Sequence, residues 1–282
     1  MCPISFVGNH WEGIKEFFNS VFFISIAGSL AGAFAGAYGG QRIVERQKKR
    51  EELLKEMRNT NAAIIVAFSI CTSLLAMKSQ HIKDLKENFD SQKAALLDHR
   101  SKISSGQTAK DTTFKFLADF RTLTMPLLPS ATLQNQIFEK LSLVGRPLML
   151  TTILIQTLYS LKESLEMRNN LIELYKSNSN LTEKMLVPIY FGLPYDGGHV
   201  NQDYPASIDA IYSQTDDGIH FSRLLCQDLV KHGKKIASEF NKENKSGAIR
   251  ISEPDFSKAE ESGLFPDEEK YASWQKMFIE KP

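Results

Sequence analysis

The sequence predicts a mostly α protein, with a single N-terminal transmembrane helix followed by a cytoplasmic helical bundle of long, coiled-coil-like helices. Three observations lead there. Residues 17–41 run for 25 residues without a formal charge, between Glu16 and Arg42, and ~20 helical residues suffice to cross the hydrocarbon core of a bilayer. The 64 residues from 42 to 105 contain neither Pro nor Gly, so nothing in them interrupts a helix. Apolar residues recur at 3–4 spacing there and in two later stretches, whereas a strand-like alternation is confined to AIRIS at 248–252.

The chain divides into a short tail (1–16), a membrane helix (17–41), a helical bundle (42–245) and a polar C-terminal arm with a short helix (246–282). The tail carries one Lys and two Glu, whereas Arg42, Arg46, Lys48, Lys49 and Arg50 crowd the nine residues after the membrane helix. The excess of cations behind the helix predicts an outside N-terminus and a cytoplasmic C-terminus, single-pass in the inner membrane. Trp11 and Tyr38 are candidate interfacial aromatics at its two ends. A cleaved signal peptide is the rival reading, since Ala31-Gly32-Ala33 and Ala35-Gly36-Ala37 resemble cleavage sites. The length of the apolar region and the lack of a basic segment before it weigh against that.

Within the membrane helix, Gly28, Gly32, Gly36 and Gly40 fall every fourth residue along one helix face. Small residues at that spacing let a second helix approach closely, which is how membrane helices associate without a hydrophobic drive. The five basic residues that follow lie where anionic cytoplasmic headgroups would be, each contributing ~1 kcal/mol near the surface. They equally serve as a plain determinant of topology.

After the membrane helix, Glu45 with Lys49 and Glu51 with Lys55 have the order favourable for helical ion pairs. Heptad a and d positions from 54 to 103 are apolar in eleven of fifteen cases, the exceptions being Asn61, Lys78, Gln92 and His99. Those four either set register or mark breaks. Residues 61–77 are uncharged for 17 residues, the lower limit of a second span. Lys78, Lys83 and Lys86 follow, so a helix buried on most sides within the bundle is the preferred reading.

Residues 104–113 form a loop, and FKFLADFRTL is a short helix or an extended piece before Pro126 and Pro129. Ser130 caps a helix that Gly145 ends, and Pro147 opens the first turn of a second long helix to about Lys176. Leu154, Leu158, Leu161, Leu165, Ile172 and Tyr175 line its apolar face, with a gap at Arg168. Arg168, Asn169 and Asn170 fit either a buried polar network or an exposed face. A short helix ending near Pro188 and a Gly/Asp/Tyr loop over 192–204 precede a third long helix, in one or two parts, from about Ala206 to Asn241. Beyond Lys245 the polar chain reads as an extended or mobile arm, with a last amphipathic piece that docks through Trp274, Met277 and Phe278.

Chemistry is hard to place on this chain. It has no Walker A loop, GxGxxG, GxSxG, HExxH or paired CxxC. Asp216 with His220, and Asp228 with His232, share a helix face and offer two metal ligands each. With no third ligand in sight, both read as solvated surface pairs. A net charge of +1 gives no case for nucleic acid. Three distant cysteines suit a reducing compartment, with Cys71 and Cys226 acting as small hydrophobes.

The expectation is therefore a non-enzymatic, membrane-anchored, homo-oligomeric protein without cofactor or metal, a sensor or scaffold that recruits a cytoplasmic partner. The alternative is a membrane-perturbing, pore-forming effector of a toxin or antiphage defence module. A helical enzyme using His220 or His232 is the weakest reading.

Overall fold

A computed structural model describes residues 21–109, 112–179, 181–244 and 247–276. The tail, with Cys2 and Trp11, the first four residues of the uncharged stretch 17–41, Met277 and Phe278 lie outside them. The protein is mostly helical, and its N-terminal helix is long and apolar.

Helix α1 spans Val21–Met77, 57 residues and roughly 85 Å at the usual rise. It runs through a five-residue π turn, Lys78–Ile82, into α2 at Lys83–Ser104. The sequence without Pro or Gly thus forms one helical rod, as expected. Its inward row is Leu53, Met57, Thr60, Ile64, Ala67, Cys71, Leu74 and Lys78, then Ile82, Leu85 and Phe89, all buried. Steps of four and three alternate along this row except at 74, 78 and 82, where two fours follow each other. That surplus residue would rotate the row off the interior. The π turn takes it up, with the Lys83 N–H reaching back five residues to the Lys78 carbonyl.

Helix α3 is Ser130–Glu139, α4 Arg146–Ser177, α5 Glu183–Phe191 and α6 Asp203–Glu243. The α3 helix ends before Gly145 is reached, and the Ser130 side chain does not cap it; Pro129 is the cap residue. The α5 helix continues through Pro188 and stops at Gly192, which is left-handed. A Cβ there would lie 2.6 Å from Gln202 Oε1, so only glycine fits. The loop after it holds a single 3₁₀ turn, Asp196–Gly198. The third long helix, α6, is one piece.

α6 packs most extensively against α1 and α4, and it runs antiparallel to both. Lys49 meets Glu239 at one end of α1 and Lys78 meets Asp216 at the other; Arg146 meets Asp228 and Arg168 meets Tyr204 along α4. Gly218 lets α1 come close, since a Cβ would sit 2.7 Å from Leu74 Cδ1. Cys71 and Cys226 are free and buried in this contact. Burial pushes the Cys71 thiol up to about 11, so it packs as a hydrophobe.

Two cores result. One gathers α1, α3, most of α4 and the later part of α6. The other gathers α2, the end of α4, α5 and the start of α6 around Phe89, Tyr190, Phe191 and Tyr204. The π turn lies where the rod passes from one to the other.

None of the fifteen heptad positions is exposed, and the four polar ones share a task. Asn61 accepts from the Ser252 N–H and donates to the Arg250 carbonyl, both at 2.9 Å. Gln92 does the same to Leu117, and Asn169 on α4 to Leu123. His99 lies 3.2 Å from the Thr112 carbonyl, and Lys78 donates to the Leu264 carbonyl at 2.9 Å. Side chains of the helices thus satisfy the backbone of non-helical segments that have no sheet partner. Phe68, by contrast, is only partly buried, edge-on to Phe256.

The piece after the 104–113 loop is extended, not helical. Arg168, 1% exposed, donates to the Arg121 and Asp119 carbonyls at 2.8 and 3.0 Å, and Tyr204 donates to the Asp119 carbonyl. Of the Arg168–Asn169–Asn170 trio, the first two form a polar network and Asn170 is exposed. The described part of the C-terminal arm, 247–276, is laid along α1 and α6 instead of standing free. It includes two short helices, Ser257–Glu261 and Ala272–Lys276. Tyr271 stacks on His220 at 3.7 Å, Arg223 pairs with Glu260 and Glu268, and Trp274 meets Phe221 edge-on.

Candidate membrane interface

One helix, Gly28–Ser104 within the described residues, is long and apolar enough to cross a membrane by length and composition; its best stretch has a mean hydropathy of 1.8 and is half buried. Half-burial places that stretch at 60–77, against α6, because every residue from Gly28 to Arg46 is exposed. From Gly28 to Gln41 the uncharged part of α1 therefore stands outside the packed helices.

On that rod Gly28, Gly32, Gly36 and Gly40 are open. A Cβ built on any of them meets nothing within 4 Å. Two residues further on, about 200° round the helix, Leu30, Phe34 and Tyr38 form a row of large exposed side chains. The rod thus has a smooth face and a bulky face opposite it. Close approach suits the first, and lipid chains suit the second.

The bulky row runs on into Arg42 and Arg46. The Arg42 guanidinium lies over the Tyr38 ring, 4.9 Å from its centroid, an aromatic–cation pair of the kind that suits a membrane–water boundary. Lys48 pairs along the helix with Glu52 at 3.9 Å. Lys49 reaches across to Glu239 on α6 at 3.4 Å, and Gln41 donates to Glu45. Arg50 approaches Gly247 of the C-terminal arm. Arg42, Glu45, Arg46 and Lys49 line a groove of about 640 Å³ whose far wall is Asn244, at the end of α6. Asn244 and Glu239 gave no sign of this place in the sequence; they reach it because α6 runs back antiparallel to α1.

The paired carboxylates and histidines of α6 are not solvated pairs, and neither pair comes together. Asp216 is buried on Lys78 at 2.6 Å, and His220, 6% exposed, is stacked on Tyr271. Burial lowers the His220 imidazole to about 4, so it is neutral near pH 7. Asp228 is bound by Arg146 Nε at 2.8 Å, and His232 Nε2 lies 2.9 Å from Glu56. The two members of each pair share a helix face, yet all four positions are taken up by different neighbouring elements. Among the described residues no group of three or more ligands could hold a metal ion.

Comparison of the chain with known protein families, curated proteins and solved structures gives no match.

Proposed function

We propose that the chain is a non-enzymatic, single-pass inner-membrane protein whose helices beyond residue 42 form a cytoplasmic bundle, a sensor or scaffold that self-associates and recruits a cytoplasmic partner. The observation that supports it is the exposed stretch 28–41 of α1, uncharged, with an open glycine row and a basic end. Four glycines in a helix interior cost roughly 1 kcal/mol each in water relative to Ala, and anchoring alone would favour Leu or Val. Packing of one copy's helix on another accounts for them.

Gly32→Leu with Gly36→Leu is the test. The variant should stay in the membrane and lose crosslinked oligomers, because side chains at those positions hold two backbones apart. A variant that crosslinks like the parent moves assembly elsewhere. A reporter fused after Pro282 should respond as cytoplasmic. Ion leakage from vesicles carrying the parent, abolished in the glycine variant, would favour the pore-forming effector instead.

A further inference from the structure

We propose that the groove between the emerging α1 and the end of α6 is a binding site for the phosphate headgroup of an anionic phospholipid. The proposal rests on the reading of 17–41 as a membrane span.

Position comes first. The hydrocarbon core is ~30 Å thick and the whole bilayer ~40–45 Å, which leaves about 5–8 Å of headgroup layer on each side. The uncharged stretch ends at Gln41. At ~1.5 Å per residue, Arg42 to Arg46 cover the first ~8 Å beyond it, and Lys49 lies at ~12 Å. The groove thus opens at the depth of the headgroups, and the Tyr38–Arg42 contact marks the same level.

The lining comes next. Three of its five residues are cations and one is a carboxylate. Among the described residues neither Arg42 nor Arg46 pairs with a carboxylate, whereas Lys49 is held by Glu239. Arg42 and Arg46 are four apart and so lie on one face, and their guanidinium groups can grip phosphate oxygens by two N–H bonds at once. Asn244 donates one amide hydrogen to the Phe240 carbonyl and has a second to give. Glu45 and the C-terminal end of α6 oppose an anion. Glu45 accepts from Gln41, and Lys242 stands in the last turn of α6. The balance favours a negative ligand, and the volume of about 640 Å³ has room for a phosphate with its polar substituent.

The groove differs from a diffuse basic patch in having a second wall. Lys55 and Arg58 are exposed cations on the same helix, further from the membrane and outside the groove, so they supply the control. The full chain is placed in nanodiscs of mixed phosphatidylcholine and phosphatidylglycerol, and lipids retained by the released protein are counted by native mass spectrometry. The parent should retain phosphatidylglycerol in preference. Arg42→Gln with Arg46→Gln should lower that retention roughly tenfold or more, and Lys55→Gln with Arg58→Gln should leave it unchanged. Equal retention by both lipids, or equal loss in both variants, overturns the groove while leaving the anchor standing. Failure of the chain to enter nanodiscs overturns the span, and the groove with it. Phosphatidylcholine discs with inorganic phosphate form the last arm. Phosphatidylglycerol should protect Arg46 from phenylglyoxal and free phosphate should not; equal protection overturns the lipid as ligand.

Discussion

Residues 21–41 and 61–77 are two uncharged stretches of one unbroken helix, and the chain treats them oppositely. From Gly28 onward the first makes no packing contact at its glycines and is exposed on every side. The second buries Ala63, Ile64, Ala67, Ile70, Cys71, Leu74, Leu75 and Met77, and exposes Ile65, Ser69 and Ala76. The difference is not one of charge, because both stretches are uncharged. It lies in what the rest of the molecule brings alongside. Helix α6 returns antiparallel to α1, and its glycine at 218 allows close contact with Leu74. It ends at Glu243, beside the basic turn, and does not cover residues 28–41, which are exposed. The same apolar helix is a core element where its own chain covers it and stays open to its surroundings where it does not.

The largest test of this contrast is at the end of the covered stretch. Asp216→Ala leaves the Lys78 ammonium buried with only the Leu264 carbonyl and the Tyr212 ring. Unfolding by urea in detergent should show a loss of ~3–5 kcal/mol, and Lys78→Met with Asp216→Leu should recover most of it. A loss under ~1 kcal/mol would mean that this end of 61–77 is not packed as described.

On the uncovered stretch the corresponding change is Ala33→Lys. A lysine near the middle of a span costs ~2.5–3.5 kcal/mol of insertion, so the membrane fraction should fall. The urea midpoint should not move, because Ala33 touches none of the packed helices. Unchanged membrane recovery would end the reading of 21–41 as a span.

Acid should separate the two stretches as well. Residues 21–41 contain no titratable group except Tyr38, whereas the packed helices hold His220 neutral. Its folded value of about 4 lies below the ordinary 6.5, so the unfolded chain takes up the proton first. The stability gained by keeping His220 neutral is fully present above pH ~6.5. It is lost as the pH falls toward 4, by at most about 1.4 kcal/mol per unit. His220→Phe, which keeps a ring against Tyr271, should flatten that slope between pH 6.5 and 4 in urea titrations. A variant as acid-sensitive as the parent would place the effect on other groups.

The smallest expected effect discriminates best. Ile65 lies in 61–77 but is 59% exposed. Ile65→Lys should alter stability by less than about 0.5 kcal/mol and leave the C-terminal reporter unaffected. Loss of membrane integration on that substitution alone would mean that 61–77 is a second span.

Much of the fold was legible in the sequence. None of the fifteen heptad positions chosen by spacing is exposed, and the Pro147 start of α4 and the continuous rod from 42 to 104 followed from residue type alone. The polar heptad positions were legible as exceptions, but their task was not. Asn61 holds residues 250 and 252, nearly two hundred positions away, and no local pattern announces such a partner. The gap at Arg168 read as an interruption because its compensation, two backbone carbonyls of an extended segment, lies 47 and 49 residues upstream. The polar composition of 247–276 suggested a free arm. Its anchors, among them Ile249, Ile251, Phe256, Leu264, Phe265, Tyr271 and Trp274, are scattered without a helical or strand period, yet they hold it down. At the candidate interface, the glycines, the basic run and Tyr38 were visible; the groove was not, since one wall comes from the far end of α6.

The sequence by itself determined what depends on near neighbours: where helices can run, which faces are apolar, and the uncharged length that suits a bilayer. Each of these follows from rise, periodicity and side-chain type within a few turns. Only the tertiary structure decided which of two apolar stretches is covered, and which polar side chains are buried with partners. Both depend on groups far along the chain, from 47 residues away for Arg168 to 189 for Asn61. Asp216 reaches Lys78 and Asn244 reaches the basic turn only because α6 folds back along α1, and coverage by a distant element leaves no mark on the stretch it covers.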